Sequence, residues 1–164
     1  MKTTTLRKIR ECNPCISSWT RLLEGLGKSE ADDEPLPYSK ILGICGLHDA
    51  LWATRTETDF RWVQELALRF ARHVGRTDRH FMDSLYIVDR FLRGEASREE
   101  LDRASRDIRT CPRGVSGGFA AGCAAAENSE SASECAASTA YHSAGGVRGL
   151  EHLWQEDLFL EVVG

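Results

Sequence analysis

Hydrophobic residues recur at helical spacing along most of this chain. Ile16, Trp19, Leu23 and Leu26 form the first set, and separations of three and four residues place them on one helix face. The later sets are Ile41, Leu42, Ile44 and Cys45; Leu51 and Trp52; Phe60, Val63, Leu66 or Ala67, Phe70 and Val74; Phe81, Leu85, Val88 and Leu92; Leu101, Ala104 and Ile108; and Val147, Leu150, Leu153 or Trp154, Leu158 and Val162. No strand pair or hairpin turn is indicated between them. The pattern predicts an all-α protein, a single-domain bundle of about seven or eight helices.

Helix-end signals predict several of the boundaries. Asn13 as N-cap and Pro14 at the first helical position predict the start of a helix that ends at Gly25–Gly27. Asp78 is a suitable N-cap for a later helix, and Ser97-Arg-Glu-Glu100 has the spacing of a capping box.

The composition changes between residues 114 and 146, where 33 residues include 10 Ala, 6 Ser and 6 Gly. A flexible low-complexity linker would explain the serine and glycine content. A helix over about residues 119–141 would explain a stripe of small residues at helical spacing, and we favour this interpretation because alanine is the best helix former. The stripe consists of Ala121, Ala125, Ala132, Ala136, Ala140 and Ala144. Gly145 and Gly146 are predicted to break the chain before the terminal helix.

A length of 164 residues suits one domain with its own core. We expect a helical core over 1–112, the Ala/Ser/Gly-rich segment over 113–146 and a terminal helix over 147–164. No run of about 18 apolar residues is present, so we expect no membrane-spanning segment. The first ten residues are charged and lack the apolar core of a signal peptide, which predicts a cytoplasmic protein.

The formal net charge of −4 is unevenly distributed. Residues 1–56 contain 8 basic and 7 acidic side chains, residues 57–110 contain 11 of each, and residues 111–164 contain 2 basic and 7 acidic. A nucleic-acid-binding protein needs a segregated basic surface to neutralise phosphates. Because no basic stripe is segregated here, we do not expect direct nucleic-acid binding. The acidic last third instead suits a protein partner with a basic surface.

Two groups of carboxylates are candidates for binding such a partner. Glu30, Asp32, Asp33 and Glu34 precede a rigid Pro-Leu-Pro sequence, whereas Glu127, Glu130 and Glu134 follow a helical spacing in the alanine-rich segment. Each group has an alternative interpretation as a solvated surface that contributes solubility or favourable charge at a helix N-terminus.

Sequence motifs for catalysis are absent, and we predict a protein that is not an enzyme and needs no cofactor. Six cysteines are present, but a chain without a secretion signal favours reduced thiols over disulfides. Cys12 and Cys15 form a C-x-x-C pair, a weak candidate for a metal or redox site because no matching ligand pair follows. Cys45 and His48 are a poor nucleophile–base pair, since Gly46 separates them and Asp49 adjoins the histidine.

The chain resembles a family of alanine-rich helical proteins from bacteriophage and bacterial genomes that are labelled immunity proteins. The residues that carry the resemblance are Cys12-Asn-Pro-Cys15, Trp19, Leu22-Leu23, Leu26-Gly27-Lys28, Ala31-Asp-Asp-Glu-Pro-Leu36, Ile41-Leu42, Gly46-Leu-His-Asp-Ala-Leu-Trp52, Arg55 and Arg90-Phe-Leu-Arg-Gly-Glu-Ala-Ser-Arg-Glu-Glu-Leu101. Beyond residue 101 the likeness is one of composition, with a closing Trp154-Gln-Glu-Asp-Leu-Phe159. Members of the family usually have longer Ala/Trp/Arg-rich repeats, where this chain has Gly, Ser and Glu.

The resemblance implies a phage or mobile-element origin and a protein that acts by binding another protein, in the host cytoplasm if it is phage-encoded. Together with the acidic last third, this predicts an inhibitor that blocks a host or competing macromolecular machine, such as a CRISPR or other defence effector. Two alternatives are a structural homo-oligomer that packs through its alanine stripe and a metal or redox site at Cys12 and Cys15.

Overall fold

The computed structural model describes residues 1–75, 78–110, 114–143 and 150–164, and it confirms an all-α protein. Among these residues the α-helices are α1 (Leu6–Glu11), α2 (Ile16–Leu26), α3 (Tyr38–Cys45), α4 (Leu47–Ala53), α5 (Arg61–Gly75), α6 (Arg79–Leu92), α7 (Arg98–Arg109), α8 (Gly114–Ala124), α9 (Ser129–Ser143) and α10 (Leu150–Val163). A 3₁₀ turn, Thr54–Thr56, follows α4. No described helix is both long and apolar enough to cross a membrane.

Helix α5 lies between two clusters of buried side chains and contributes to both. Val63, Leu66 and Phe70 belong to the larger cluster, which also includes side chains from α1 to α4 and from α9 and α10. Leu68 and Ala71 belong to the smaller cluster, with side chains of α6, α7 and α8. Because α5 buries apolar side chains in both clusters, it is the central element of the core.

The middle of the chain follows the sequence prediction closely. Asp78 caps α6, with Oδ1 accepting the backbone N–H of Phe81 at 3.1 Å. Ser97 and Glu100 form the predicted capping box at the start of α7. The apolar faces predicted for these helices are buried at Phe81, Leu85, Val88, Leu101, Ala104 and Ile108.

The alanine-rich segment forms two helices, so the prediction of one continuous helix over 119–141 is wrong. Asn128 Oδ1 accepts the backbone N–H of Ser131 at 2.9 Å, which is the arrangement of a helix N-cap, and α9 starts there. The end of α8 is stabilised by Gln64, a buried residue of α5 whose Nε2 donates to the carbonyl oxygens of Cys123 at 3.0 Å and Ala124 at 3.3 Å. The two helices fold back on each other at this turn.

Two other elements differ from the prediction near the N-terminus. Asn13 has a positive φ of 55°, and α2 begins at Ile16 after Cys15 as N-cap, so the helix starts later than predicted. Ile16 is 83% exposed and Leu22 is the buried residue of α2. Residues Thr3–Thr4 (β1) and Leu36–Pro37 (β2) pair as antiparallel strands, which the sequence did not predict.

The terminal helix largely follows the predicted register. Leu158 is buried as expected, Trp154 and Val162 are partly buried against the larger cluster, and Leu153, the alternative to Trp154, is exposed. Among residues 153–164, Gln155, Phe159 and Val163 are also buried. Gln155 Nε2 donates to the carbonyl oxygen of Ala140 at 2.8 Å, which satisfies a buried amide and a helix-end acceptor together. The predicted break at Gly145 and Gly146 lies outside the described residues.

Two helix-interior glycines provide a matched test of how α2 and α3 pack. A methyl group at Gly25 would lie 2.5 Å from Cγ2 of Ile44, whereas a methyl group at Gly43 would have no neighbour within 4 Å. We expect Gly43→Ala to raise the free energy of unfolding by about 0.5–1 kcal/mol through better helix propensity. We expect Gly25→Ala to lower it by about 1–3 kcal/mol through overpacking. Equal effects in urea melts would contradict this α2–α3 contact.

Candidate functional site

Two adjoining grooves lie on the side of the molecule formed by α2, α4 and α9. The thiol groove has a volume of about 210 Å³ and is lined mainly by Ile9, Pro14, Cys15, Ser18, Trp19, Leu22, Ile41, Cys45, His48, Asp49, Trp52 and Ala53. The acidic groove has a volume of about 580 Å³ and is lined by His48, Trp52, Ser133, Glu134, Ala137, Ser138, Tyr141 and His142. Because His48 and Trp52 line both grooves, the two depressions form one candidate site.

Arg55 is a largely buried cation that lies between Trp52 and the first turns of α9. Its side chain is only 10% exposed, and the guanidinium lies 4.2 Å from the ring centre of Trp52. Nη1 is 3.4 Å from Oε1 of Glu130, and Nη2 is 3.6 Å from Oε1 of Glu134. The hydroxyl of Ser129 donates to the carbonyl oxygen of Arg55 at 2.6 Å, which fixes the start of α9 against the turn after α4.

The two carboxylates beside Arg55 remain largely accessible. Glu130 and Glu134 have side chains that are 68% and 65% exposed, and they are one helical turn apart on α9. One guanidinium serves both, so the group of three carries a net charge of −1. Glu127, the third predicted member, lies in the turn before α9 and is exposed. The structure therefore brings together two of the three predicted acids and adds a cation that the sequence did not indicate.

The other predicted acidic group is largely occupied by internal ion pairs. Lys28 binds Asp32 and also Glu34, the latter at 2.6 Å from Nζ to Oε2, and its hydrogen bond lowers the pKa of Asp32. Arg7 Nε lies 2.8 Å from Oδ2 of Asp33. Glu30 is exposed. These contacts hold the loop after α2 against α1, so three of these four carboxylates already have basic partners within the chain.

Cys15 stands at the rim of the thiol groove as the N-cap of α2. Its Sγ lies 3.1 Å from the hydroxyl oxygen of Ser18 and 3.5 Å from that of Ser17. Hydrogen bonds with the Ser17 hydroxyl, the Ser18 hydroxyl and the Ser18 backbone N–H, in that order of size, lower the pKa of Cys15 to about 7. A helix N-terminus favours a thiolate in the same way. A pKa of about 7 corresponds to roughly half ionisation of the Cys15 thiol at pH 7.

His48 lines the same groove and contacts its neighbour Asp49. Nδ1 of His48 is 3.4 Å from Oδ1 of Asp49, whose hydrogen bond raises the pKa of His48, with a smaller contribution from the charge of Cys15. Arg21 Nη1 approaches the other oxygen of Asp49 at 3.9 Å. The geometry thus places a thiolate, an imidazole and a carboxylate around one apolar groove.

The other four described cysteines differ from Cys15 in that their thiol pKa values are raised. Cys12, Cys15, Cys45, Cys123 and Cys135 all have free thiols. Desolvation by burial is the main cause that raises the pKa of the four other than Cys15. Within the described ranges, no three His, Cys, Asp or Glu side chains are grouped to hold a metal ion. Cys111 lies outside those ranges.

Sequence reasoning identified several residues of this site but not which of them contact one another. The i,i+4 spacing of Glu130 and Glu134 was informative, but Arg55 is 75 residues before Glu130 and has no local feature that indicates the contact. Cys45, rather than Cys15, was considered as the thiol beside His48. The later start of α2 places Cys15 as its N-cap, beside the groove that His48 also lines.

Comparison with known proteins adds no further information about this site. No protein-family model matches the chain, and neither a curated protein nor a solved structure matches it.

The ionisation of Cys15 can be measured directly. We expect its alkylation rate by iodoacetamide to rise with pH as the thiol loses its proton, with a midpoint near 7. Replacing both Ser17 and Ser18 by Ala should move this midpoint upwards, toward the ordinary thiol value of 9.0, because the thiolate loses its donors. Peptide mapping provides the control, since Cys45 in the same groove should be half-ionised only at higher pH. Coincident profiles for the two cysteines would refute this assignment.

Proposed function

We propose that this protein is a non-enzymatic inhibitor of the immunity-protein type, which binds and blocks another macromolecule through the acidic groove. The observation that carries the proposal is the pair Glu130 and Glu134 on α9. Glu134 lines the groove, Glu130 lies one helical turn before it, and both contact the largely buried guanidinium of Arg55 while remaining about two-thirds exposed. A partner that presents arginine or lysine side chains would find two fixed carboxylates with an uncompensated charge. The expected partner is a protein with a basic surface.

Preorganisation strengthens this surface as a binding site. A free glutamate side chain loses rotamer freedom when it binds, and this loss reduces affinity. Here the contact with Arg55 already restricts both carboxylates, and the packing of Arg55 on Trp52 restricts the guanidinium. Complementary charge across an interface also accelerates association and disfavours partners of the wrong sign.

Aromatic side chains supply contact area next to the charges. Tyr141 is 62% exposed and lines the acidic groove together with His142. His142 stacks on Phe119 of α8, with ring centroids 5.3 Å apart, and meets Tyr141 edge-on at 5.2 Å. Aromatic residues are enriched in protein interfaces because they bury a large area at a small entropic cost. The groove therefore combines an apolar contact with a charged one.

The target class follows from the same chemistry. Proteins that handle nucleic acids present arginine and lysine in grooves that bind phosphates, and carboxylates at similar positions compete with those phosphates. A CRISPR effector or another defence enzyme is such a target. The alternative of a homo-oligomer through the alanine stripe has less support, because Ala121, Ala132, Ala136 and Ala140 are buried within the chain.

Charge removal on α9 tests this proposal. We expect the double variant Glu130→Gln, Glu134→Gln to lose most of its binding to partners captured from host lysate, and the remaining binding to vary less with salt. The matched control is Glu24→Gln, Glu65→Gln, which removes the same charge from exposed positions on α2 and α5 and should bind normally. Capture is measured by quantitative mass spectrometry over a salt series, with and without nuclease.

The two double variants also separate binding from folding. Both should unfold cooperatively in thermal melts, so that a loss of capture reports on the surface. Equal capture by the two variants at every salt concentration would rule out the acidic groove as the binding surface. Capture that disappears after nuclease treatment would show that nucleic acid, and not a basic protein, is the partner.

A further inference from the structure

We infer that Cys15 is an acylation site: its thiolate accepts an acyl group from an acyl thioester, and the acyl chain lies in the thiol groove. This inference goes beyond the proposed inhibitor function, which uses α9 and does not involve Cys15. It rests on the arrangement of a nucleophile, a proton donor and an apolar groove in one place.

The groove has a polar rim and an apolar floor. Ile9, Leu22, Ile41 and Ala53 are buried side chains that line it, whereas Cys15 and His48 are exposed at its edge. A ligand that matches this arrangement has a reactive polar head and a hydrocarbon tail. An acyl thioester has both, and its tail gains free energy from each methylene group that it removes from water.

The covalent step is a transfer of the acyl group from one sulfur to another. The Cys15 thiolate attacks the thioester carbonyl carbon and forms a tetrahedral intermediate, with a new bond from Sγ to carbon. Collapse of this intermediate breaks the carbon–sulfur bond of the leaving thiolate, and the protonated imidazole of His48 donates its proton to that sulfur. The products are acylated Cys15 and a free thiol, and no oxidant or reductant takes part.

The surroundings of each residue suit its role in this step. Ser17 and Ser18 stabilise the Cys15 thiolate, and Asp49 favours the protonated form of His48. Cys45 lines the same groove but is partly buried and has a raised pKa, so it serves as an internal comparison. A lowered pKa by itself increases the rate of a thiol at neutral pH by only about tenfold, because nucleophilicity falls together with pKa. The dependence of the acylation rate on acyl-chain length is therefore the decisive test of whether the groove binds the chain.

The experiment compares acetyl and octanoyl thioesters of N-acetylcysteamine as acyl donors to the full-length protein at pH 7. Intact mass gives the rate, peptide mapping gives the site, and rates with N-acetylcysteine correct for the reactivity of each donor. Each methylene group that becomes buried should increase the relative rate roughly fourfold. We therefore expect the corrected rate at Cys15 to be at least about tenfold higher for octanoyl than for acetyl, because two buried methylene groups suffice for this ratio.

Variants of exposed residues test the two chemical roles. Cys15→Ser should abolish acylation. His48→Gln should slow acylation severalfold and remove the part of its pH profile that reflects ionisation of His48. The matched control is His80→Gln, because His80 is also an exposed histidine but lies on α6. Equal corrected rates for the two donors, or preferential acylation of Cys12 or Cys45, would overturn the inference. An unchanged rate and pH profile in His48→Gln would overturn the role of His48 as proton donor.

Discussion

The close approach of α8 and α9 to α5 is the contact on which the rest of the fold depends. Alanine and cysteine side chains at this interface, including Cys123, Ala132 and Ala136, are fully buried, and their small size lets the helix backbones come near one another. Such an interface leaves the carbonyl groups at the end of α8 close to the core, where they need donors. Gln64 of α5 supplies one buried amide to the carbonyls of Cys123 and Ala124, so packing and hydrogen bonding fix the same geometry.

The position of α9 in turn determines the electrostatics of the candidate site. Because α9 packs against α5 and the turn after α4, Glu130 and Glu134 come within ion-pair distance of Arg55. A largely buried guanidinium is costly without anionic partners, so contact with the two carboxylates favours this position of Arg55. The sequence prediction treated these acids as either a solubilising face or a binding face. Their shared contact with Arg55 gives them a structural role that is compatible with binding, since most of each side chain remains accessible.

Sequence prediction was most accurate for the long helices with regular apolar faces or clear caps. Helices α5 to α7 have long apolar faces or clear caps, so Val63, Phe81 and Ile108 were predicted as core residues from local patterns alone. The pair β1–β2 has two residues in each strand, and its partners are far apart in sequence, which leaves no periodicity to detect. The same limit applies to the site. Local spacing indicated Glu130 and Glu134, but the contacts of Arg55 and the meeting of Cys15 with His48 depend on how distant helices pack.

Trp52 connects the two grooves physically. Its indole lines both of them, and it also carries the guanidinium of Arg55 on its ring. A group that enters the thiol groove and displaces the indole must therefore change the support of Arg55, and with it the positions of Glu130 and Glu134. Coupling of this kind is reciprocal. If a group in the thiol groove changes the binding free energy of a partner at Glu134, that partner changes the binding free energy of the group by the same amount. The sign of the coupling depends on whether both occupants favour the same position of Trp52.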